Sequence, residues 1–369
     1  MVLNNLVLAG GSLLMGIAGS ADSFEMLLVG RFLCGLSTGA AFTILPTFIS
    51  EVCPSEFRGT FSSLQHTFVC VGTTAGATLG LGSVLGTTDA LSILLIIPFF
   101  TAIAQIVLSP LVPESPKFLL LIKKDEDGSL QSVRFYRGPD ADFRRLFLQY
   151  EEENRISQHR LGFAAVFKDL NHLKLVGLGA LANFAQIFTG LMAIISYSTV
   201  IMKEIGLGET SAELVTAVGA AIFTIISVPA AFLVEKWGRR PLILSTLFSI
   251  AVADFCFFIF GLIIEYKLTK DTRWASVGFV IMVFVFSISY NLGPGPIGYF
   301  LSGELVPVDV RTVSLAVGVG VNWLSSVLSI LLYYPLNKAT GSYSFLLFAI
   351  PTIIRYDKMI QTIHKIIYR

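Results

Sequence analysis

Two copies of one charged knot constrain this chain more than any other feature: Glu51-x-x-Pro54-x-Glu56-x-Arg58 and Glu304-x-x-Pro307-x-Asp309-x-Arg311. They stand 253 positions apart, and each lies between long apolar runs. A Glu, a Pro, an acid and an Arg repeated at one spacing, with like flanks, imply an internally duplicated membrane protein. Hydrophobic residues are 54% and charged residues 14% of the 369, against about 25% charged in a soluble domain, and the mean hydropathy is +0.75. That balance predicts an all-α polytopic membrane protein whose surroundings are the lipid bilayer.

Crossing the hydrocarbon core takes about 20 apolar residues. Such runs lie near 3–21, 27–50, 60–83, 90–111, 173–201, 211–234, 241–264, 275–302 and 312–335, and a tenth from 343 falters at Arg355. The chain then divides into an N-terminal half, 1–112, a charged linker, 113–172, and a C-terminal half, 173–369. The linker reads equally well as short amphipathic helices on the membrane face or as a solvated spacer. Counting spans in alternation puts the linker, Arg58, Lys236, Arg239, Arg240 and Arg311 on one side, which the positive-inside rule makes cytoplasmic. Shifting the second knot onto the first leaves the runs at 173–201 and 211–234 without first-half partners. The expectation is a twelve-helix plan of which about ten are present, in a reading truncated or mis-spliced at both ends.

The net charge of +1 offers no basic field for nucleic acid. Cys34, Cys53, Cys70 and Cys256 lie in or beside apolar runs without CxxC spacing and read as packing residues rather than a disulfide or metal set. The four His are scattered, and no metal, nucleophile or phosphate-loop signature stands out, so neither an enzyme nor a cofactor or metal is expected. A small-molecule substrate is the expected partner, with a monomer as the default state.

Three groups of residues carry the functional expectations. A charge at a helix end is costly unless paired, so Glu51, Arg58, Glu235, Arg239, Arg240, Glu304 and Arg311 are expected to form a gating clamp, with interfacial anchoring of helix ends as the simpler alternative. Gly293-Pro294-Gly295-Pro296 removes two backbone donors inside a span and should break that helix where it faces the pathway, unless it is a static packing kink. Polar side chains within the spans, Gln65, His66, Asn183, Gln186, Thr189, Asn291, Asn322 and Trp323, could take hydroxyls of a small solute or bond neighbouring helices.

These motifs, together with Gly30-Arg31-Phe32, Pro113-Glu114-Ser115-Pro116-Lys117, Glu235-Lys-Trp-Gly238-Arg239-Arg240 and Asn322-Trp323, resemble the sugar porter branch of the major facilitator superfamily, most closely the animal facilitative glucose transporters. The resemblance implies hexose transport by alternating access in the plasma membrane, with Arg31 a structural cation. It also implies sugar contacts at Gln186, Trp323, His66, Ile187, Met192, Phe223, Asn291, Tyr299 and Ser326, with Tyr299 in an inner gate. The chain departs from that pattern: His66, Ile187, Met192 and Phe223 replace amides, Asn291 replaces an acid and Tyr299 a tryptophan. Each lost hydrogen bond to a hydroxyl is worth about 1–3 kcal/mol. That points to a less hydroxylated or different solute, with a polyol, fructose or a urate-like compound as alternatives to glucose, or to a relative that does not transport. Asp254, the acid well inside a span, leaves proton coupling open, beside a simple interhelical hydrogen bond.

Overall fold

A computed structural model describes residues 1–54, 58–139, 141–158, 162–237, 239–269, 271–297, 306–307 and 309–353, excluding the side chains of residues 50, 58–60, 62–63, 156–158, 231–232, 234–236 and 239–240. Every regular element among them is helical. Seven stretches there are long and apolar enough to cross a membrane: Phe24–Ile49, Leu91–Leu111, Leu170–Glu204, Glu209–Ala230, Pro241–Glu265, Arg273–Ile297 and Arg311–Ile353. The ten runs of the sequence differ from these for three physical reasons. The first helix, α1 (Val2–Ala18), has only 17 residues; α3 (Arg58–Leu79) is diluted by Gln65, His66 and its Thr and Gly residues; and the last run continues directly from the one before it.

The chain forms two compact units, residues 1–65 with 75–158, and 66–74 with 159–369. In the first, α1 lies against α2 (Phe24–Val52) through small residues. A Cβ on Gly30 would stand 2.6 Å from Met15 Cγ and 2.7 Å from Gly11 O, so the two backbones touch. Lipid tails are as apolar as leucine, and such close contact is what associates helices there. Ser37 Oγ adds a bond to Asn4 O at 3.1 Å. Gly16 admits Ile96 of α4 (Leu91–Leu108) in the same way, at 2.8 Å from a would-be Cβ.

The charged linker is helical: α5 (Pro116–Phe118), α6 (Glu126–Arg137), α7 (Phe143–Gln158) and α8 (Phe163–Lys168). Asp125 caps α6 by accepting from Gly128 N at 2.9 Å, with acids in the first turn and Arg134 and Arg137 in the last, as the helix dipole favours. Residues up to 158 are tied to the first unit. Ser132 Oγ donates to Glu114 O at 2.6 Å, Tyr136 OH to Pro113 O at 2.7 Å, Arg137 Nη2 to Cys53 O at 3.3 Å, and Lys117 pairs with Glu153 at 2.8 Å. Burial pushes the Tyr136 phenol up, which keeps it a donor.

The second unit holds α9 (Leu170–Ile187), α10 (Leu191–Glu204), α11 (Glu209–Trp237), α12 (Arg239–Glu265), α13 (Arg273–Leu292) and α14 (Arg311–Thr340), followed by a helical stretch at 346–353. Val166 of α8 packs with Val176, Val306, Val310 and Val313. The core is aromatic, with Phe257, Phe279, Phe286, Tyr290, Tyr333, Phe345 and Phe348 in one cluster and the Phe257 and Phe279 rings 4.8 Å apart. Residues 66–74 of α3 are bonded into this unit through Thr74 Oγ1 to Ala220 O at 2.6 Å and Thr67 Oγ1 to Ser227 O at 3.5 Å. Asp254 is buried in α12 and accepts from Thr352 Oγ1 at 3.5 Å.

The α1–α2 contact gives a direct test. Gly30→Ala must push Met15 and the Gly11 carbonyl aside, at a cost of about 1–3 kcal/mol, whereas a Cβ on Gly35 meets nothing within 4 Å. Gly30→Ala should therefore lower the Tm of the detergent-purified protein and Gly35→Ala should not. Equal loss in both variants would refute the contact.

Candidate functional site

Two interrupted helices organise the polar residues of the second unit. The run read as one span at 173–201 is two helices. Thr189 Oγ1 folds back onto Gln186 O at 2.7 Å, and Gly190 takes the left-handed conformation at φ 91°. A Cβ there would also press on Phe348 at 3.2 Å, so the turn demands glycine on two counts. Gln186 is thereby left in the last turn of α9, pointing into the unit.

The second interruption is Gly293. Helix α13 stops at Leu292, Gly293 adopts φ −122°, ψ −87°, and helix resumes at 294–297. Pro294 and Pro296 lack the N–H groups that would bond Tyr290 O and Leu292 O, so the helix is weakened twice within one turn, where Gly293 and Gly295 weaken it further. Thr246 of α12 comes so close that a Cβ on Gly293 would overlap its Oγ1.

A carboxamide network links the two breaks. Gln186 Nε2 donates to Pro294 O at 2.7 Å and to Tyr290 OH at 3.3 Å, and Gln186 Oε1 accepts from Asn322 Nδ2 at 3.1 Å. Asn322 also reaches Asn183 Oδ1 at 3.5 Å, and Asn183 bonds Gly179 O at 3.2 Å. Pro294 O can only accept, so it fixes which end of the Gln186 amide is nitrogen. Gln186, Asn183 and Asn322 are all buried. Ser326 Oγ bonds back to Asn322 O at 2.9 Å, and Trp323 is half-buried on the next position of α14.

A second cluster lies at the neighbouring residue of α13. Asn291 Oδ1 is 2.8 Å from His66 Nε2 and 3.6 Å from Cys70 Sγ, while Asn291 Nδ2 donates to Phe223 O at 2.9 Å. The His66 and Phe223 rings meet edge to face at 6.2 Å. Ile187 and Phe223 are buried, and Met192 packs on the aromatic core.

Of the expected site residues, the structure brings Gln186 together with Asn322, and His66 together with Asn291. Gln65 is half-buried one position before His66 and belongs to the first unit. Tyr299 and Glu304 lie outside the described residues, as do the side chains of Arg58, Glu235, Arg239 and Arg240. Glu51 is half-buried in the last turn of α2 and Arg311 is exposed at the first position of α14. Arg58, Arg239 and Arg311 each open a helix, the end where a cation is disfavoured by about 0.3–1 kcal/mol. Two participants were missed in the sequence, Tyr290 and Cys70: Tyr290 stands between Ser289 and Asn291 with no spacing that marks its distant partner, and Cys70 lies between two valines.

A separate cavity of about 390 Å³ is lined by Glu204, Glu265, Asn337, Lys338 and Ser342 at the far ends of α10, α12 and α14, away from the network. Glu204 accepts from Asn337 Nδ2 at 3.0 Å, and Glu265 from Ser342 N at 2.9 Å.

The family model described as "Sugar (and other) transporter" matches residues 1–356. Facilitated glucose transporter member 3 of solute carrier family 2 from Ovis aries is 32% identical over 356 residues, covering 96% of this chain and 70% of the relative. Member 4 from Homo sapiens is 30% identical over 353 residues, covering 95% and 68%. Among solved structures, the proton:xylose symporter XylE bound to 6-bromo-6-deoxy-D-glucose superposes with a TM-score of 0.75 at 16% identity, over 98% of this chain and 79% of that one. Inward-open XylE from E. coli gives 0.74 at 17%, over 97% and 77%. The likeness to XylE shows the major facilitator fold, and the sequence matches show that this chain is a multi-pass membrane protein belonging to the sugar transporter family.

Proposed function

We propose that this chain carries a hexose or a related small polar solute by facilitative uniport, by alternating access, in the plasma membrane and with the 113–172 linker facing the cytoplasm. The observation that carries this reading is the bond from Gln186 to Pro294 O. A buried carboxamide cannot be left unbonded without a penalty of about 1–3 kcal/mol. Gln186 therefore releases Pro294 O only when a solute hydroxyl takes its place. Because Pro294 follows the break at Gly293, that exchange frees residues 294–297 to swing. Solute binding and helix movement become one event, which is the differential interaction that a ligand needs to shift a conformational equilibrium.

Asn322, Trp323, Asn291, His66, Gln65 and Tyr299 complete the proposed substrate contacts. The clamp residues Glu51, Arg58, Glu235, Arg239, Arg240, Glu304 and Arg311 hold one state by pairing charges that their own helix ends disfavour. The apolar Ile187, Met192 and Phe223 direct preference toward a solute with fewer hydroxyls than glucose.

A non-transporting sensor is the second reading, favoured by one fact: Gln186 and Asn322 already satisfy each other at 3.1 Å. That bond ties α9 to α14 and so opposes the helix movement that transport needs.

In proteoliposomes of the full chain, labelled hexose uptake should be saturable, and Gln186→Ala and Trp323→Ala should each weaken its apparent affinity roughly tenfold or more. Uptake untouched by both changes would refute the site. No uptake together with a hexose-dependent rise in Tm would favour the sensor. An imposed proton gradient should not raise internal solute above the external level, and Asp254→Asn should leave uptake as it is. Accumulation abolished by Asp254→Asn would reassign the chain to proton symport.

A further inference from the structure

His66 and Cys70 stand four residues apart on α3, so they share one helix face. Cys70 Sγ lies 3.6 Å from His66 Nε2 and 3.6 Å from Asn291 Oδ1. The Asn291 carboxamide cannot be reversed, because its Nδ2 faces two carbonyls, Phe223 O at 2.9 Å and Ser287 O at 3.5 Å. Oδ1 is thus the atom turned toward the histidine and the cysteine. Cys70 and Asn291 are both fully buried.

We infer that His66 Nε2, Cys70 Sγ and Asn291 Oδ1 form a binding site for a borderline-soft divalent cation of the Zn²⁺ class, whose occupation arrests transport. With Zn–S near 2.3 Å and Zn–N or Zn–O near 2.0–2.1 Å, tetrahedral angles put sulfur about 3.6 Å from each partner and nitrogen about 3.4 Å from oxygen. Both sulfur separations are in place. The 2.8 Å between Nε2 and Oδ1 has to open by roughly half an ångström to meet that geometry. Imidazole and thiolate are the donors such a metal prefers, the carboxamide is a weaker third, and water or solute takes the fourth position. Asn291 Oδ1 can only accept, so the neutral imidazole holds its proton on Nε2. On binding, that proton passes through water to Nδ1 and the thiol proton leaves to water, so one proton is released in all and nothing is oxidised. Among the described residues no three His, Cys, Asp or Glu side chains cluster. The third donor here is an amide 221 positions from Cys70, beyond the reach of any spacing motif.

The metal would tie α3 to α13 two residues before the break at Gly293. His66 also abuts the segment beyond it, since a Cβ on Gly295 would lie 2.9 Å from Nε2. Arrest follows from holding both sides of the break, whichever solute is carried.

Co²⁺ added to the purified full chain should give a thiolate-to-cobalt charge-transfer absorption that Zn²⁺ displaces. Cys70→Ser should abolish it, and His66→Gln should weaken the apparent Co²⁺ affinity at least about tenfold, with size-exclusion elution confirming that each variant is folded. In proteoliposomes, Zn²⁺ should inhibit uptake of the parent chain, and both substitutions should relieve inhibition measured against each variant's own metal-free rate. A folded parent without the absorption overturns the site. So does an absorption unchanged in Cys70→Ser, which would belong to Cys34, Cys53 or Cys256.

Discussion

A backbone carbonyl released inside hydrocarbon has to be bonded by something, because no water is there to take it and each unmet group costs several kcal/mol. In the second unit this requirement falls on the stretch from Tyr290 to Pro296, where two prolines withhold donors and Gly293 turns the chain. Pro294 O is answered by Gln186 at 2.7 Å. Gln186 can answer only because α9 ends beside it, and α9 ends because Gly190 is left-handed under Phe348. Asn322 and Tyr290 then hold Gln186 in place. One break is thus stabilised by another, and the residues that join them are those with the chemistry to recognise a hydroxylated solute.

The charges at the helix ends follow a related logic. Arg58, Arg239 and Arg311 start helices, and Glu204 and Glu265 finish them; each sits at the end its dipole disfavours. Such groups depend on partners outside their own helix. Glu204 finds Asn337 and Glu265 finds the Ser342 amide, both within the second unit. A charge already content with its own helix gains little from changing partner, whereas one that its helix disfavours can tip a conformational equilibrium each time a partner is made or lost.

How much of this was legible depended on whether a residue acts through its own backbone or through a distant neighbour. The spans were readable because crossing hydrocarbon demands only length and apolarity. The interruption at Gly293-Pro294-Gly295-Pro296 was readable because two prolines and two glycines within four residues withhold two donors and lower helix propensity together, whereas single prolines such as Pro46 and Pro98 are carried inside their helices. The interruption at Gly190 was not, since glycine is common in membrane helices and this one is distinguished by its φ and by Phe348. Cys70 read as packing, and it is buried; what its sulfur faces depends on Asn291, which no local pattern reveals. The linker helices sat between the two cases, with Asp125 and Gly138 marking the ends of α6 but nothing in the sequence saying what Tyr136 and Arg137 would bond.

The departures from the glucose-transporter pattern acquire a different meaning once they are placed in space. His66, Phe223 and Asn291 come from three helices, yet His66 bonds Asn291 at 2.8 Å, Asn291 bonds the Phe223 carbonyl at 2.9 Å, and the Phe223 ring meets the His66 ring. The three departures touch, and both ends of the Asn291 amide have partners. An acid at 291 would hold two acceptor oxygens and no donor for the Phe223 carbonyl, so the amide is the group that suits both the carbonyl behind it and the histidine before it. Ile187 and Met192, by contrast, join the apolar packing around Gln186 and the aromatic core. The polar groups that remain are thus paired across α3, α11 and α13, while Ile187 and Met192 add apolar contact at the α9–α10 turn, so the departures are mutually compatible as packing and hydrogen bonding.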